Sequence, residues 1–137
     1  MQTDPTLRVL IVDDTRVMRE LLALTVENDD RFSVAGFAAD GAQAIRLVEQ
    51  DQTDAIILDL QMPGMDGLTA LPRLRQLCPD AVIAAHSFDV EALERAVALG
   101  ADLQVAKGSG LAELLDAIVL GRETRLRLHS SEKNSAA

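Results

Sequence analysis

The sequence predicts an α/β domain built on a parallel sheet with helices on both faces. Two observations carry this. Short apolar or β-branched runs alternate along the chain with segments whose apolar residues recur at helical spacing. The short runs also lack the polar alternation of a strand with one wet face, so each is read as buried on both sides, the pattern of a parallel sheet covered by helices. The chain's 137 residues suit one domain, and a hydrophobic content of 48% is enough for a core.

The first strand is read at Leu7–Val12, and a helix follows in which Met18, Leu21, Leu22 and Thr25 fall at i, i+3, i+4 and i+7. The second strand is read at Ser33–Ala38, and Ala44, Ile45 and Val48 mark the helix after it. The third strand, Ala55–Leu58, runs into Asp59, and a turn-rich segment with Pro63, Gly64 and Gly67 leads to a helix carrying Leu68 and Leu71. Pro72 falls inside that helix and predicts a bend or a delayed start. The fourth strand is read at Ala81–Ala85, and Val90, Leu93 and Val97 mark a helix that Gly100 can end. The fifth strand, Leu103–Ala106, is interrupted by Gln104. The last helix carries Leu111, Leu114, Leu115 and Ile118, with Gly121 at a place where it could stop. The polar end from His129 reads as a disordered tail, which places the domain at 1–128, with its core at about 7–120, and the tail at 129–137.

Composition excludes several functions. Net charge is −9, from 13 basic and 22 acidic residues, and the chain has no long basic run. Such a chain is a poor binder of DNA or of an anionic membrane, and its partners are expected to be cations or basic protein surfaces. Aromatic residues are 2% of the chain, with no Trp or Tyr, so stacking platforms for single-stranded nucleic acid are not expected. Cys78 is the only cysteine, which rules out an intrachain disulfide and fits a reducing compartment. The start, MQTDPTLR, lacks the basic and apolar stretches of a signal peptide. No apolar run approaches the roughly 18 residues of a membrane helix. A cytoplasmic protein is expected.

In an open parallel sheet, ligands bind beyond the carboxyl ends of the strands. Asp13 and Asp14 end the first strand, Asp59 ends the third and Lys107 ends the fifth. Three carboxylates at one point repel one another unless protons or a cation offset the charge. Their donors are all hard oxygens, which favours Mg²⁺ or Mn²⁺ over zinc. A carboxylate is also a nucleophile toward phosphorus, and a metal and a lysine would neutralise the transferring group. In this scheme Asp59 attacks, and Asp14 binds the metal directly. Asp13 binds it directly or through water, Lys107 pairs with phosphoryl oxygens, and the Gln61 backbone carbonyl completes the metal shell.

In order along the chain, VLIVDDTRVMRELL, IILDLQMPGMDGL and ALGADLQVAK resemble the receiver domain of bacterial two-component response regulators, over roughly Leu7 to Leu120. The resemblance implies a flavodoxin-like (βα)5 fold with strand order 2-1-3-4-5. It implies Mg²⁺-dependent phosphotransfer to Asp59 from a histidine kinase or phosphotransfer protein. An output protein or a fused output domain would then respond. Such a domain catalyses its own phosphorylation and dephosphorylation without being a turnover enzyme. Members also dimerise through the fourth helix, fifth strand and fifth helix.

The sequence departs from the family at its switch. Receivers carry a Ser or Thr at the end of the fourth strand, which hydrogen-bonds the phosphoryl group. Counted forward from Asp59, Ser87 takes that place; counted backward from Gly100, it falls near Ala85 or His86. The forward count is preferred. Gln104 stands where the family has an aromatic residue, and Gly108 follows Lys107 where proline is usual.

Plainer readings exist for each residue. Asp13 and Asp14 could cap the first helix, and Lys107 could be a solvated loop lysine. Asp66 is read as a cap, His86 as structural or solvated, Cys78 as inert, and Met62 and Met65 as loop packing. Arg122, Arg125 and Arg127 are read as a solvated helix end. Two alternative functions are a receiver-like interaction module that no longer uses phosphate and a small haloacid-dehalogenase-type phosphatase. The second would need an acid two residues after the nucleophile, where this chain has Gln61.

Overall fold

Five strands and five helices alternate in this computed structural model, which describes residues 6–135. They are β1 (Leu7–Val12), α1 (Arg16–Glu27), β2 (Phe32–Ala38), α2 (Gly41–Gln50), β3 (Ala55–Asp59), α3 (Gly67–Leu77), β4 (Val82–Ser87), α4 (Val90–Ala98), β5 (Leu103–Ala106) and α5 (Leu111–Ser135). The strands form one sheet in the order β2-β1-β3-β4-β5, every neighbouring pair parallel. The expected fold class, a flavodoxin-like sheet of order 2-1-3-4-5, is the observed one.

Because side chains alternate along a strand, the sheet divides the core in two. Leu10, Val12, Ile56, Leu58, Ile83 and Ala85 face α2, α3 and α4. Val9, Ile11, Ala55, Ile57, Val82 and Ala84 face α1 and α5. The central strand β3 is buried at every position, which is why its sequence shows no alternation.

The chain leaves β3 through a loop that packs inward. Leu60 and Met62 are buried against the α2–α4 side of the core, and Met65 is half-buried beside them, so the two methionines are packing residues as read. The Asp66 carboxylate accepts the Thr69 N–H at 2.8 Å and caps α3, again as read. Gly67 starts α3 directly against the phosphoacceptor strand: a Cβ there would lie 2.1 Å from the Asp59 carbonyl oxygen. Only glycine lets the helix begin so close to Asp59. Pro72 delays nothing; it sits within α3 on an exposed face.

The last helix departs from expectation. It does not stop at Gly121, and the segment from His129, expected to be disordered, is helical as far as Ser135. Gly121 is a close-approach residue, since a Cβ there would come within 3.2 Å of Val82 Cγ1. Beyond it the helix is tied to the amino-terminal edge of the sheet. Arg122 Nη1 donates to the Asp80 carbonyl at 2.8 Å, and its Nη2 lies 3.3 Å from Asp54 Oδ1. Arg125 Nη1 lies 3.4 Å from Asp102 Oδ1, and His129 Nδ1 meets the Asp80 carboxylate. The basic cluster is therefore no solvated helix end: Arg122 and Arg125 are paired, and Arg127 alone of the three is mostly exposed.

Asp102 also anchors Arg75, whose Nη2 lies 2.6 Å from Asp102 Oδ2 while its Nη1 donates to the Ala81 carbonyl at 2.9 Å. The same Asp102 oxygen accepts the Ile83 N–H at 2.8 Å. This half-buried knot joins α3, β4, the start of β5 and α5.

Gly67→Ala is expected to lower stability by about 1–3 kcal/mol or more, because backbone must move to admit the methyl. Gly110→Ala, where the added methyl makes only ordinary contact with Glu113, is expected to change it by less than about 0.5 kcal/mol. Urea denaturation of the two variants checks this.

Candidate functional site

Three carboxylates and a lysine meet at the carboxyl edge of the sheet. One oxygen from each of Asp13, Asp14 and Asp59 lies within 4.8 Å of the others. Asp13 and Asp59 are 1% and 3% exposed, while Asp14 faces solvent. Lys107, its side chain 9% exposed, reaches across from the end of β5. Its Nζ is 2.9 Å from Asp13 Oδ2 and 3.3 Å from Asp59 Oδ2. Lys107 is thus no solvated loop lysine.

Two of the carboxylates are held by backbone N–H groups. Asp13 Oδ1 accepts the Thr15 N–H at 2.9 Å, and the Asp13 carbonyl accepts from Arg19 Nη1 at 2.7 Å. Thr15, not Asp13 or Asp14, stands at the N-cap of α1. Asp59 Oδ1 accepts the Gln61 N–H at 3.2 Å, which brings the Gln61 backbone to the site, while the Gln61 side chain donates to Asp89 Oδ2 at 3.1 Å. Asp13 Oδ2 is buried and pairs with the Lys107 ammonium.

Burial pushes the Asp59 carboxyl up to about 6, with the Asp13 charge adding to the rise and the Gln61 N–H and Lys107 opposing it. For Lys107, burial works against the ammonium, but the contact with Asp13 and the charges of Asp59 and Asp13 outweigh it, and the net shift is upward. At neutral pH the lysine is charged and Asp59 is mostly ionised. The cluster then holds more negative than positive charge in a poorly solvated place. The all-oxygen donor set and its excess negative charge fit a hard divalent cation.

The end of β4 differs from expectation. β4 continues through Ser87, and Asp59 pairs in the ladder with His86. Alternation therefore puts His86 on the Asp59 face and Ser87 on the opposite one. Ser87 Oγ accepts the Asp89 N–H at 3.0 Å and so belongs to the entry into α4. The preferred assignment of Ser87 to the switch position is not supported by this register; of the three candidates, His86 stands beside Asp59. His86 is not solvated either: it is 1% exposed, and neither ring nitrogen has a hydrogen-bond partner among the described residues. Burial pushes its imidazole down to about 4, with the Lys107 charge helping and the Asp13 charge opposing, so the ring is neutral at pH 7.

The sequence carried no clear signal for His86: the apolar run before it, Ala81–Ala85, is five residues against the four of Ala55–Leu58 before Asp59, and the start of β4 at Val82 is what brings the two into register. Phe88, passed over in the sequence, is 74% exposed, and Lys107 Nζ lies 5.7 Å from its ring centroid. Gln104 is exposed on the edge strand β5. Cys78 is buried, and burial pushes its thiol up, which keeps it protonated and fits an inert role.

A flavodoxin-like sheet with acidic residues at the ends of β1 and β3 and a lysine at the end of β5 defines a class of phosphoryl-accepting domains. Comparison with known proteins makes the class specific: residues 9–119 match the family described as the response regulator receiver domain, and the chain belongs to that family. It is 42% identical over 99 residues to protein-glutamate methylesterase/protein-glutamine glutaminase 2 of Shewanella sp. (strain MR-4), covering 70% of this chain and 28% of that one. It is 34% identical over 124 residues to the protein-glutamate methylesterase/protein-glutamine glutaminase of Azospirillum brasilense, covering 88% and 31%. The chain thus spans under a third of the length of these relatives. Among solved structures, the response regulator domain of Thermotoga maritima CheB superposes with a TM-score of 0.78 at 28% identity, covering 87% of this chain and 98% of that one. A LuxR-family response regulator from Aurantimonas sp. SI85-9A1 gives 0.78 at 32% identity, covering 86% and 88%. Among the described residues no helix is long and apolar enough to cross a membrane.

The raised Asp59 carboxyl sets a pH dependence. The folded chain holds this proton up to about pH 6, while the unfolded chain loses it near 4. The stabilising contribution is therefore present below about pH 4, is lost as pH rises through 6, and leaves a destabilising charge at neutral pH. In Mg²⁺-free buffer, Asp59→Asn is expected to be more stable than wild type by about 1–3 kcal/mol at pH 7.5, with the gain vanishing toward pH 4. Denaturant melts of both proteins across that range read the difference directly.

Proposed function

We propose that Asp59 accepts a phosphoryl group from a histidine kinase or a histidine phosphotransfer protein. What supports this most is one arrangement: a buried, backbone-held carboxylate with a buried lysine 3.3 Å away and two further aspartates beside it. Asp59 attacks phosphorus, the P–N bond of the donor's phosphohistidine breaks, and a P–O bond to Asp59 forms. The released imidazole nitrogen takes a proton. The Gln61 N–H fixes the carboxylate, and the Lys107 ammonium neutralises charge gathering on the phosphoryl oxygens. Asp13, Asp14, Asp59 and the Gln61 carbonyl would hold Mg²⁺, or Mn²⁺, which when bound neutralises charge on the phosphoryl oxygens.

The chain works as a switch rather than a turnover enzyme, and its state is read by a separate output protein or a fused output domain. The methylesterase name of several relatives supports an output of that kind for proteins of similar build. With a single free cysteine, Cys78, the cytoplasm fits as the place of action. A homodimer through α4, β5 and α5 is part of the same proposal. Exposed Val97, Leu99, Leu120 and Leu128 support it, as apolar residues on those elements and at their ends.

Incubation with Mg²⁺ and acetyl phosphate, followed by intact mass, is expected to add one phosphoryl group. The addition is expected to disappear in Asp59→Asn and with chelator, and to slow by at least about tenfold in Lys107→Ala. A folded wild-type protein that takes no phosphate under these conditions would favour the interaction-module reading.

A further inference from the structure

We propose that the open edge of β2 takes up a short, extended, acidic segment of another protein. The segment adds a strand beside residues 36–38 and sets successive carboxylates against arginines of α1 and α2. This goes beyond the phosphotransfer reading and does not depend on it.

β2 stands at the edge of the sheet and pairs with β1 alone. Its sequence, FSVAGFA, has no charge and no proline, the residues that commonly blunt an open edge. Residues 33–36 are partly exposed, and Phe37 is 48% exposed. The pairing with β1 skips Ala35, and such a bulge discourages a long added strand. Beyond the bulge three residues of β2 remain, so the contact is short.

A single exposed phenylalanine means little by itself. Phe37 is set apart by standing between two clefts, one on each face of the sheet. It shares a rung with Ile11, which places its ring on the α1 side. There it lines a cleft of about 330 Å³ with Arg16, Arg19, Glu20 and Ala23. On the α2 side it borders a cleft of about 290 Å³ with Gln43, Arg46, Leu47 and Gln50. Small-molecule sites begin at about 300 Å³, so each cleft suits a side chain better than a whole ligand.

Charge selects the occupant. The two clefts carry three arginines and one glutamate, a local positive surplus on a chain whose net charge is −9. Glu20 is already engaged by Arg16 at 2.9 Å. Arg19 donates to the Asp13 carbonyl, and neither Arg19 nor Arg46 meets a carboxylate among the described residues. Successive residues of a strand point to opposite faces. A strand added beside Phe37 therefore offers one side chain to the arginines of α1 and the next to Arg46, and acids at two successive positions answer both. A second copy of this chain fits poorly: two β2 edges paired about a twofold axis near Phe37 would bring like arginines together.

The test uses unphosphorylated ¹⁵N-labelled protein and octaglutamate in low-salt buffer at pH 7.5. The amide signals of Gly36, Phe37 and Ala38 are expected to shift as peptide is added, and these amides to gain protection from hydrogen exchange. Octalysine is expected to leave them in place. Affinity for octaglutamate is expected to fall as salt rises, by about threefold in Arg16→Gln or Arg46→Gln, and further in the double variant. Both arginines are exposed, so their replacement leaves the core untouched. No shift of these three amides at millimolar peptide overturns the proposal. So does a shift without added protection, which marks ionic contact and no new strand, or an unchanged affinity in the double variant. Shifts that grow with protein concentration alone assign the edge to a second copy and overturn it too. Phosphorylation of Arg46→Gln by acetyl phosphate is expected to match wild type, so failure of this proposal and failure of the phosphotransfer reading are seen separately.

Discussion

Two nearly inaccessible aspartates beside one lysine set the terms for the rest of this fold. Asp13 and Asp59 are 1% and 3% exposed, and Lys107 balances only one of them. Asp14 adds a further negative charge at the solvent side. Burying like charges is unfavourable unless something answers them. The chain therefore carries a standing bias toward a cation or a proton at this point. Neighbouring features serve to hold that arrangement: β3 is buried along its whole length, Gly67 lets α3 start against Asp59, and backbone N–H groups fix Asp13 and Asp59.

Much of this was legible in the sequence, for a physical reason. A strand buried on both faces leaves an unbroken apolar run, and its carboxyl end is where an open parallel sheet presents residues. Asp13, Asp14 and Asp59 each follow such a run, and Lys107 follows a shorter one interrupted by Gln104, so their convergence is legible in the sequence. What failed was finer. The assignment of Ser87 beside Asp59 turned on a count of one residue, and in a strand one residue reverses the face. Gly121 and the polar segment after it read as a helix end because the sequence shows local propensity. What extends α5 is tertiary: Arg122, Arg125 and His129 reach carboxylates and a carbonyl brought from elsewhere by the sheet. Pro72 did not delay α3, which begins at Gly67 and carries the proline inside it.

The parts that would report phosphorylation are less conventional than the parts that would receive it. The β4 end offers a buried imidazole where the family has a hydroxyl. β5 carries an exposed Gln104 in place of an aromatic ring, and the exposed ring near the site is Phe88, close to Lys107. Asp89 links the two regions: it caps α4 and accepts from Gln61, two residues after the phosphoacceptor. A change at Asp59 thus has a short, hydrogen-bonded route to the start of α4. At the opposite edge of the sheet the Arg75–Asp102–Arg125 knot holds α3, β5 and α5 together. Rearrangement at the β4–α4 loop is compatible with a body that stays fixed.

The most direct test of this account is the thermal stability of the wild-type protein as Mg²⁺ is added at pH 7.5, beside Asp13→Asn and Asp59→Asn. A cation that binds the folded cluster and not the unfolded chain must stabilise the fold by mass action. At about a hundred times its dissociation constant, Mg²⁺ is predicted to raise the wild-type midpoint by roughly 5–10 °C, and to raise those of both variants far less. A wild-type midpoint indifferent to Mg²⁺ would contradict the claim that this buried acidic cluster is built around a divalent cation.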